Sequence, residues 1–394
     1  MQHADLVDRY GIDQGPAETL AAYGFDPDVF DKLRARLVSG ARSGDGGAAS
    51  NWIRGDIEPP RDADLVRLPP TGSPERSRLD RAGRDAIASG YVGVLLLAGG
   101  MATRFGGGVK ALAEVLPGLT FVGAKLADLR RLAGELGCTI PLWLMTSFGS
   151  DRVLREWAQA SRSSTVPTGC VPQGVSMRLT AGGDLFRDAD GAVSLHAPGH
   201  GDAPWAMSHS GVLAQFGERG GRHLFVTNVD NAAATLDPAV IGAHLAAGRP
   251  LTCEVVSGDA VGGAPWRVDG RLQIVEAFRL PPTVDPQASD ATNTNSLIAD
   301  AEVFEADWPF TWFEVRKVTN GVEVVQFERL IGELSAFVDT TMLWVDREGP
   351  DGRFQPVKDP QELEARRPEI ARILAGRGIQ RLSHGPERPA SEAS

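Results

Sequence analysis

Lysine is scarce in this chain. Of 40 basic residues only five are lysines, namely Lys32, Lys110, Lys125, Lys317 and Lys358. An arginine bias of this kind, beside abundant Ala and Gly, is what a GC-rich genome produces, so each persisting lysine marks a position where a compact ammonium does what a guanidinium cannot. Basic runs are missing too. With a net charge of −11 that excludes a nonspecific nucleic-acid binder, because neutralising phosphates needs a basic surface; an anionic ligand needs a local basic pocket instead. Nowhere do 18 apolar residues follow one another, and Asp5 and Asp8 near the start are not followed by an apolar export segment. No membrane span or export signal is expected, and a cytoplasmic location is. The three cysteines, Cys138, Cys170 and Cys253, are odd in number and widely spaced, which suits reduced thiols and argues against a disulfide framework or a zinc site.

What is present is enough for a large core, since 42% of 394 residues are hydrophobic, and the length suggests about two or three domains. Residues 1–90 read as a helical preamble. Asp26-Pro27 starts a helix whose Val29, Leu33 and Leu37 share a face, and Ser73-Pro74 starts another that ends at Gly90. Between them a Gly/Ala/Ser-rich stretch from Gly40 to Ser50 reads as a linker. From Tyr91 onward apolar strands alternate with helical patterns: strand 92–98, helix 123–136 closed by Gly137, strand 140–146, helix 149–160, strand 223–228, helix 237–247 and strand 251–257. That alternation predicts an α/β fold with a parallel sheet. A hairpin over 266–275 turns on Asp269-Gly270; a helix near 323–334, a strand near 341–345 and a helix near 360–375 complete the expected order. The expected divisions are 1–90, a catalytic domain over 91–340, a C-terminal segment over 341–382 that completes the site, and a disordered tail from Ser383.

The stretch "GVLLLAGGMATRFGGGVK", Gly93 to Lys110, drives an apolar strand into a glycine loop that ends in a lysine. Glycines at 99, 100, 106, 107 and 108 let backbone N–H groups approach an anion, and Arg104 and Lys110 add charge. Gly108-Val109-Lys110-Ala111 fails the Walker A pattern, and no G-x-G-x-x-G follows the strand. A plain glycine turn is the competing reading. Ligands on such sheets gather at the carboxyl ends of strands. There stand Thr146-Ser147 after one strand and Asn228-Val229-Asp230-Asn231 after another. Asp230, opposite a phosphate loop, is either a magnesium ligand, since Mg²⁺ needs only one or two carboxylates when phosphates complete its shell, or an Asx turn. "PGHGD", Pro198 to Asp202, suits backbone lying against a flat ring or sugar, and equally a tight turn; Gln173 has the donor and acceptor to read a base edge.

In order from Leu97 to Lys358 the chain carries "LAGGMATRFGGGVK", "MTSF", "PQGVSMRL", "PGHGD" then "HSGVL", "NVDNAAATLDP", "GDAVGGAP", "IVE", "NTNSL", "VVQFE" and "RFQPVK". In these pieces, over about two thirds of its length, it resembles the UDP-sugar pyrophosphorylase family, of the UTP–glucose-1-phosphate uridylyltransferase type. The resemblance implies a Rossmann-like, GT-A-like nucleotidyltransferase with a mixed, mostly parallel sheet. The reaction it implies is Mg²⁺-dependent exchange of UTP and a hexose 1-phosphate, glucose 1-phosphate first, for UDP-sugar and pyrophosphate. It matches Gly99, Gly100, Arg104 and Lys110 to the UTP-phosphate loop, and Gln173 and Gly201 to uracil contacts. His200 matches a position near phosphates and sugar, and Asp230 the metal ligand. Gly263, Glu276, Asn293 and Asn295 match the sugar set, and Lys358 the phosphate-facing lysine of the "PVK" motif. Lys317 falls where the family tends to have a lysine; a salt bridge and a phosphate contact are equal readings there. Departures from the family's usual residues fall at Met101-Ala102, Val109, Ala232-Ala233 and Val261, around the site and not on its charged members. An N-acetylhexosamine version and a non-catalytic nucleotide-sugar binder are the alternatives. Only 36 residues follow Lys358, so no C-terminal β-helix of the kind glucose-type relatives use for assembly is expected. The expectation is a monomer or weak oligomer whose partners are UTP and sugar 1-phosphate, not nucleic acid or membrane.

Overall fold

The apolar run before the glycine loop is the middle of the molecule. In the computed structural model, which describes residues 3–43, 47–100, 107–258 and 262–379, that run is Val92–Leu97 and every residue of it is buried. Strand alternation sends Val94 and Leu96 to one side and Leu95 and Leu97 to the other, each into its own apolar cluster. On the first side they meet Leu126, Leu129 and Leu132 of helix Phe121–Leu136. On the second they meet Met207, Leu213 and Phe216. A strand buried on both faces lies inside a three-layer α/β sandwich, and this is why it reads as a continuous hydrophobic run. Truncating any of these leucines to alanine costs about 2–5 kcal/mol.

The central sheet has eight strands. In chain order they are β1 (Leu65–Arg67), β2 (Val92–Leu97), β3 (Leu142–Thr146), β4 (Thr168–Pro172), β5 (His223–Asn228), β6 (Leu251–Ser257), β7 (Ala291–Asp300) and β8 (Thr340–Trp344). Across the sheet they run β1-β8-β6-β7-β5-β2-β3-β4. All neighbours are parallel except β7, which is antiparallel to both β5 and β6. The sheet is mixed and mostly parallel, as expected. Between the pairs Cys253–Leu297 and Val255–Asn293 the register of β7 shifts through a bulge.

The helical pattern was largely written in caps. Helix Pro74–Ala88 starts from the Ser73 hydroxyl, helix Phe121–Leu136 starts from Thr120 and stops at left-handed Gly137, and helix Pro238–Ala247 starts from Asp237. The first ninety residues are not helical throughout, because β1 forms an edge of the central sheet and Arg76 pairs with Asp237 at 2.7 Å. The helix that begins at Pro27 continues through the front of the expected linker to Ser43.

One element is corrected. The helix expected near 323–334 is a strand, Val322–Glu328, paired with Phe313–Thr319, and only short turns at Ile331–Glu333 and Leu334–Phe337 are helical. Asn320 and Gly321 both have positive φ, 51° and 77°, the two-residue hairpin turn that an Asn-Gly pair between β-branched runs specifies. The same signal correctly places the hairpin Gly263–Val268/Arg271–Glu276 at Asp269-Gly270.

Candidate active site

The carboxyl ends of β2, β3, β4 and β5 open onto a cleft with about 390 Å³ of free space, lined among others by Gly99, Gly100, Lys110, Gln173, His200 and Asp230. Six of the residues singled out in the sequence therefore face one volume. Chain crossing at the end of β2 is tight: the Ser147 hydroxyl donates to the Gly99 carbonyl at 2.8 Å, and a Cβ on Gly99 would sit 2.2 Å from Gln173 Nε2. Only glycine lets this loop pass beneath that amide. Arg104 lies outside the described residues, with its neighbours 101–106. Beyond them the Lys110 amide donates to the Gly100 carbonyl at 3.3 Å, and the Lys110 ammonium forms an ion pair with Asp230, at the end of β5. Both side chains are mostly buried.

Two uncharged groups, Gln173 and His200, share the lining with Arg178, Lys317 and Glu328. Gln173 is 4% exposed, its backbone N–H donates to the Thr146 carbonyl, and its side-chain Oε1 has no partner among the described residues. An unpaired buried amide oxygen costs about 1–3 kcal/mol, so this atom is free to take a partner that the described residues do not supply. At His200 the Ile331 N–H donates to Nδ1 at 3.0 Å. Nδ1 is therefore an acceptor, and the neutral ring carries its proton on Nε2. Burial pushes the His200 pKa down to about 4, so the ring is uncharged at neutral pH. Gly201 stands behind the wall. Its N–H bonds the Arg329 carbonyl at 2.9 Å and a Cβ there would lie 2.5 Å from the Arg329 carbonyl carbon, so packing within the chain already demands glycine.

Asp202, absent from the sequence-derived set, holds this wall together. Its carboxylate accepts the Gly174 N–H at 2.9 Å and pairs with the Arg329 guanidinium, which lies over Trp312 at 4.4 Å. Burial pushes its pKa up against the pull of Arg329.

The sugar candidates gather beside β7. Gly263 pairs with Glu276 across the hairpin, and a Cβ on Gly263 would lie 2.7 Å from Glu276 Oε1. The Asn293 amide lies close to Gly332, as does Ile274 of the same hairpin. Asn295 adopts φ 57° within the bulge, its N–H is held by Asn293 Oδ1, and its Nδ2 donates to Asn228 Oδ1 at 2.9 Å. Asn228 lines the cleft, so the two sets adjoin. Burial pushes the Glu276 pKa up to about 7, with Arg279 opposing.

Lys358 does not line the cleft itself. It is exposed, its amide donates to Glu362, and its ammonium makes no ion pair among the described residues. Its segment is nevertheless tied to the end of β5 through a bridge between Asn231 and Pro356. Arg353, 1% exposed, grips Glu254 of β6 with two bonds of 2.6 and 2.7 Å. Lys317, on the wall of the cleft, pairs with Glu328 at 2.5 Å. Sequence reasoning missed Asp202, Asn231 and Arg353. Each sits inside or beside a quoted motif, but only their burial marks them, and burial has no signal in the order of residues.

The fitness of the site for a metal rests on Asp230, a single carboxylate at the cleft's charged side. Among the described residues the one group of three clustered His/Asp ligands, His223, His244 and Asp300, lies at the amino end of β5, opposite the cleft, and is hydrogen-bonded within itself. A lone carboxylate fits a hard cation whose other ligands are phosphate oxygens and water.

Comparisons with known proteins agree with this architecture. A family model described as UTP–glucose-1-phosphate uridylyltransferase matches residues 61–378. The UTP–glucose-1-phosphate uridylyltransferase of Astragalus penduliflorus is 27% identical over 318 residues, covering 76% of this chain and 67% of that protein. The chain thus spans about two thirds of the length of the curated relatives it matches. Among solved structures, UDP-glucose phosphorylase of Trypanosoma brucei superposes with a TM-score of 0.68 at 20% identity, covering 93% of this chain and 78% of that one. The UDP-N-acetylglucosamine pyrophosphorylase of the same organism, solved with an inhibitor, gives 0.67 at 17%, covering 84% and 74%. At such identities these likenesses speak for the fold.

Proposed function

The chain belongs to the UTP–glucose-1-phosphate uridylyltransferase family, and on that premise we propose that it converts UTP and a hexose 1-phosphate, glucose 1-phosphate first, into UDP-sugar and pyrophosphate. The observation that carries the reading is that an ion pair, Lys110 with Asp230, and two uncharged hydrogen-bonding groups, Gln173 and His200, line one cleft. A nucleotide has that same division, a flat neutral base and a polyanionic tail.

A phosphate oxygen of the sugar 1-phosphate attacks the α-phosphorus of UTP. The new P–O bond forms as the bond from the α-phosphorus to the bridging oxygen breaks, and that oxygen leaves with pyrophosphate. The nucleophile is already ionised at pH 7, so no general base is required and catalysis is positioning plus charge compensation. Lys110, in the cleft lining, is assigned to the UTP phosphates, and Lys358, exposed on the strap beyond β5, is assigned to meet them from the far side. Asp230 would hold Mg²⁺, which when bound supplies charge compensation for the phosphates. Gln173 offers its amide to the base, and His200 Nε2–H donates to a phosphate or sugar oxygen without adding a titrating charge. Glu276, Asn293 and Asn295 offer hydrogen-bonding groups to sugar hydroxyls.

A cytoplasmic monomer or weak oligomer completes the proposal. All three cysteines are free, and no helix among the described residues is long and apolar enough to cross a membrane. Pyrophosphate release from UTP with a panel of sugar 1-phosphates, with and without EDTA, tests the whole reading. Glucose 1-phosphate should be turned over fastest and EDTA should abolish turnover. Preference for N-acetylglucosamine 1-phosphate would move the substrate to the N-acetylhexosamines. Silence across the panel would leave a nucleotide-sugar binder.

A further inference from the structure

The geometry points to Asn231 as the positioning residue that joins the two parts of the proposed phosphate site, by fastening the strap that bears Lys358 to the strand end that bears Asp230. Asn231 is fully buried. Its Nδ2 donates to the Arg353 carbonyl at 3.0 Å and its Oδ1 accepts the Gln355 N–H at 2.9 Å. One side-chain amide therefore offers the strap the donor and acceptor that a neighbouring strand would offer. Ordinary ladder pairing cannot continue there, because Pro356 has no N–H. Asn231 is in turn held from below: the buried ammonium of Lys125 donates to its carbonyl at 2.6 Å and also to that of Ala234.

Position in sequence gives the clamp its leverage. Asp230 is one residue before the clamp, and Lys358 is two beyond Pro356. A strap released from Asn231 keeps its deeper anchor, the Arg353–Glu254 pair, and the Lys358–Glu362 bond, but loses the two side-chain bonds that fasten it to the end of β5. Misplacing a catalytic group by about 1 Å can cost about 10²-fold in rate. The inference rests on the reading of Lys358 as the lysine that meets the phosphates, and the experiment separates the two.

In Asn231→Asp the size is unchanged, but an oxygen replaces the donor facing the Arg353 carbonyl. Pyrophosphate release is measured for N231D, K358M and the double variant. If Asn231 acts through Lys358, N231D lowers kcat about 30-fold with KM for UTP changed less than about threefold. In the K358M background the same change lowers kcat less than about twofold, the non-additivity expected of groups that act as a unit. An equal loss in both backgrounds, or an unimpaired N231D, overturns the positioning role while leaving Lys358 in place. An unimpaired K358M overturns the reading of Lys358 instead, and the clamp then has nothing to position. Should N231D fail to unfold cooperatively, Asn231→Ser, too short to span both bonds, is read by the same comparison.

Discussion

The two walls of the cleft are built on opposite principles. On the base side Gln173 and His200 meet the cleft uncharged, beside Arg178; the ion pair of Asp202 with Arg329 ties the Gln173 and His200 segments together. The proposed phosphate side carries its charge in the Lys110–Asp230 pair, with Lys358 on the strap outside the lining, and the strap is fastened by the neutral amide of Asn231. Recognition of a flat base needs shape and unpaired hydrogen-bonding groups, whereas phosphoryl transfer needs charge that is already in place. Damage should therefore read differently on the two sides, as lost turnover on one and as lost stability or discrimination on the other.

The largest expected effect lies on the charged side. Lys110→Ala and Lys358→Ala should each lower kcat by at least about 10²-fold, the loss typical of removing one preorganised charge, with unfolding midpoints nearly unchanged. Steady-state pyrophosphate release decides it, and near-normal turnover in either variant would erase the contrast between the walls. On the neutral side Asp202→Ala leaves Arg329 without its buried partner. A loss of about 3 kcal/mol is expected, as for breaking other buried pairs, and urea unfolding measures it. A midpoint within error of the wild type would mean that the wall is held by something else.

Smaller effects sharpen the division. Gln173→Ala should reduce kcat/KM for UTP about tenfold, the worth of one hydrogen bond to a ligand group that is otherwise desolvated, and should narrow the preference for UTP over CTP. An unaltered preference would remove Gln173 from base reading. The mildest effect concerns Glu276 on the sugar side. Its carboxyl holds a proton more tightly in the folded chain, up to about pH 7, than the ordinary value of 4.5 it has when unfolded. The stability this supplies is complete below about pH 4.5 and is lost as pH rises through 7. Glu276→Gln should therefore lose less stability than the wild type between pH 5 and pH 8, compared by urea midpoints. Parallel losses would show that Glu276 is not desolvated.

Much of this was legible in sequence because it is local. Ser73, Thr120 and Asp237 announced helices, Gly137 ended one, and the uninterrupted apolar run of β2 announced a doubly covered strand. Asn320-Gly321 is equally local, yet a helix is expected near 323–334, where the apolar cluster Val324, Val325 and Phe327 lies in the buried half of a strand. The charged members Lys110 and Asp230 were visible because strand ends place them. Arg353 and Asn231 were not: what makes them important is contact with Glu254 and with the strap, about 100 and 120 residues away in the chain, and no spacing within a motif encodes that.

The reversal of β7 decides how one sheet can serve two ligands. Parallel strands present only their ends at the cleft, and each end must turn at once into a loop. β7 runs the other way, so it presents its beginning, with Asn293 opposite Val255 and Asn295 bonded to Asn228. The sugar-side asparagines therefore stand on ladder and bulge, not on a flexible crossover, and can change identity without altering the connections that carry the nucleotide. On the proposed reading of the site, such a strand is a place where sugar specificity can drift while the phosphate chemistry is left untouched.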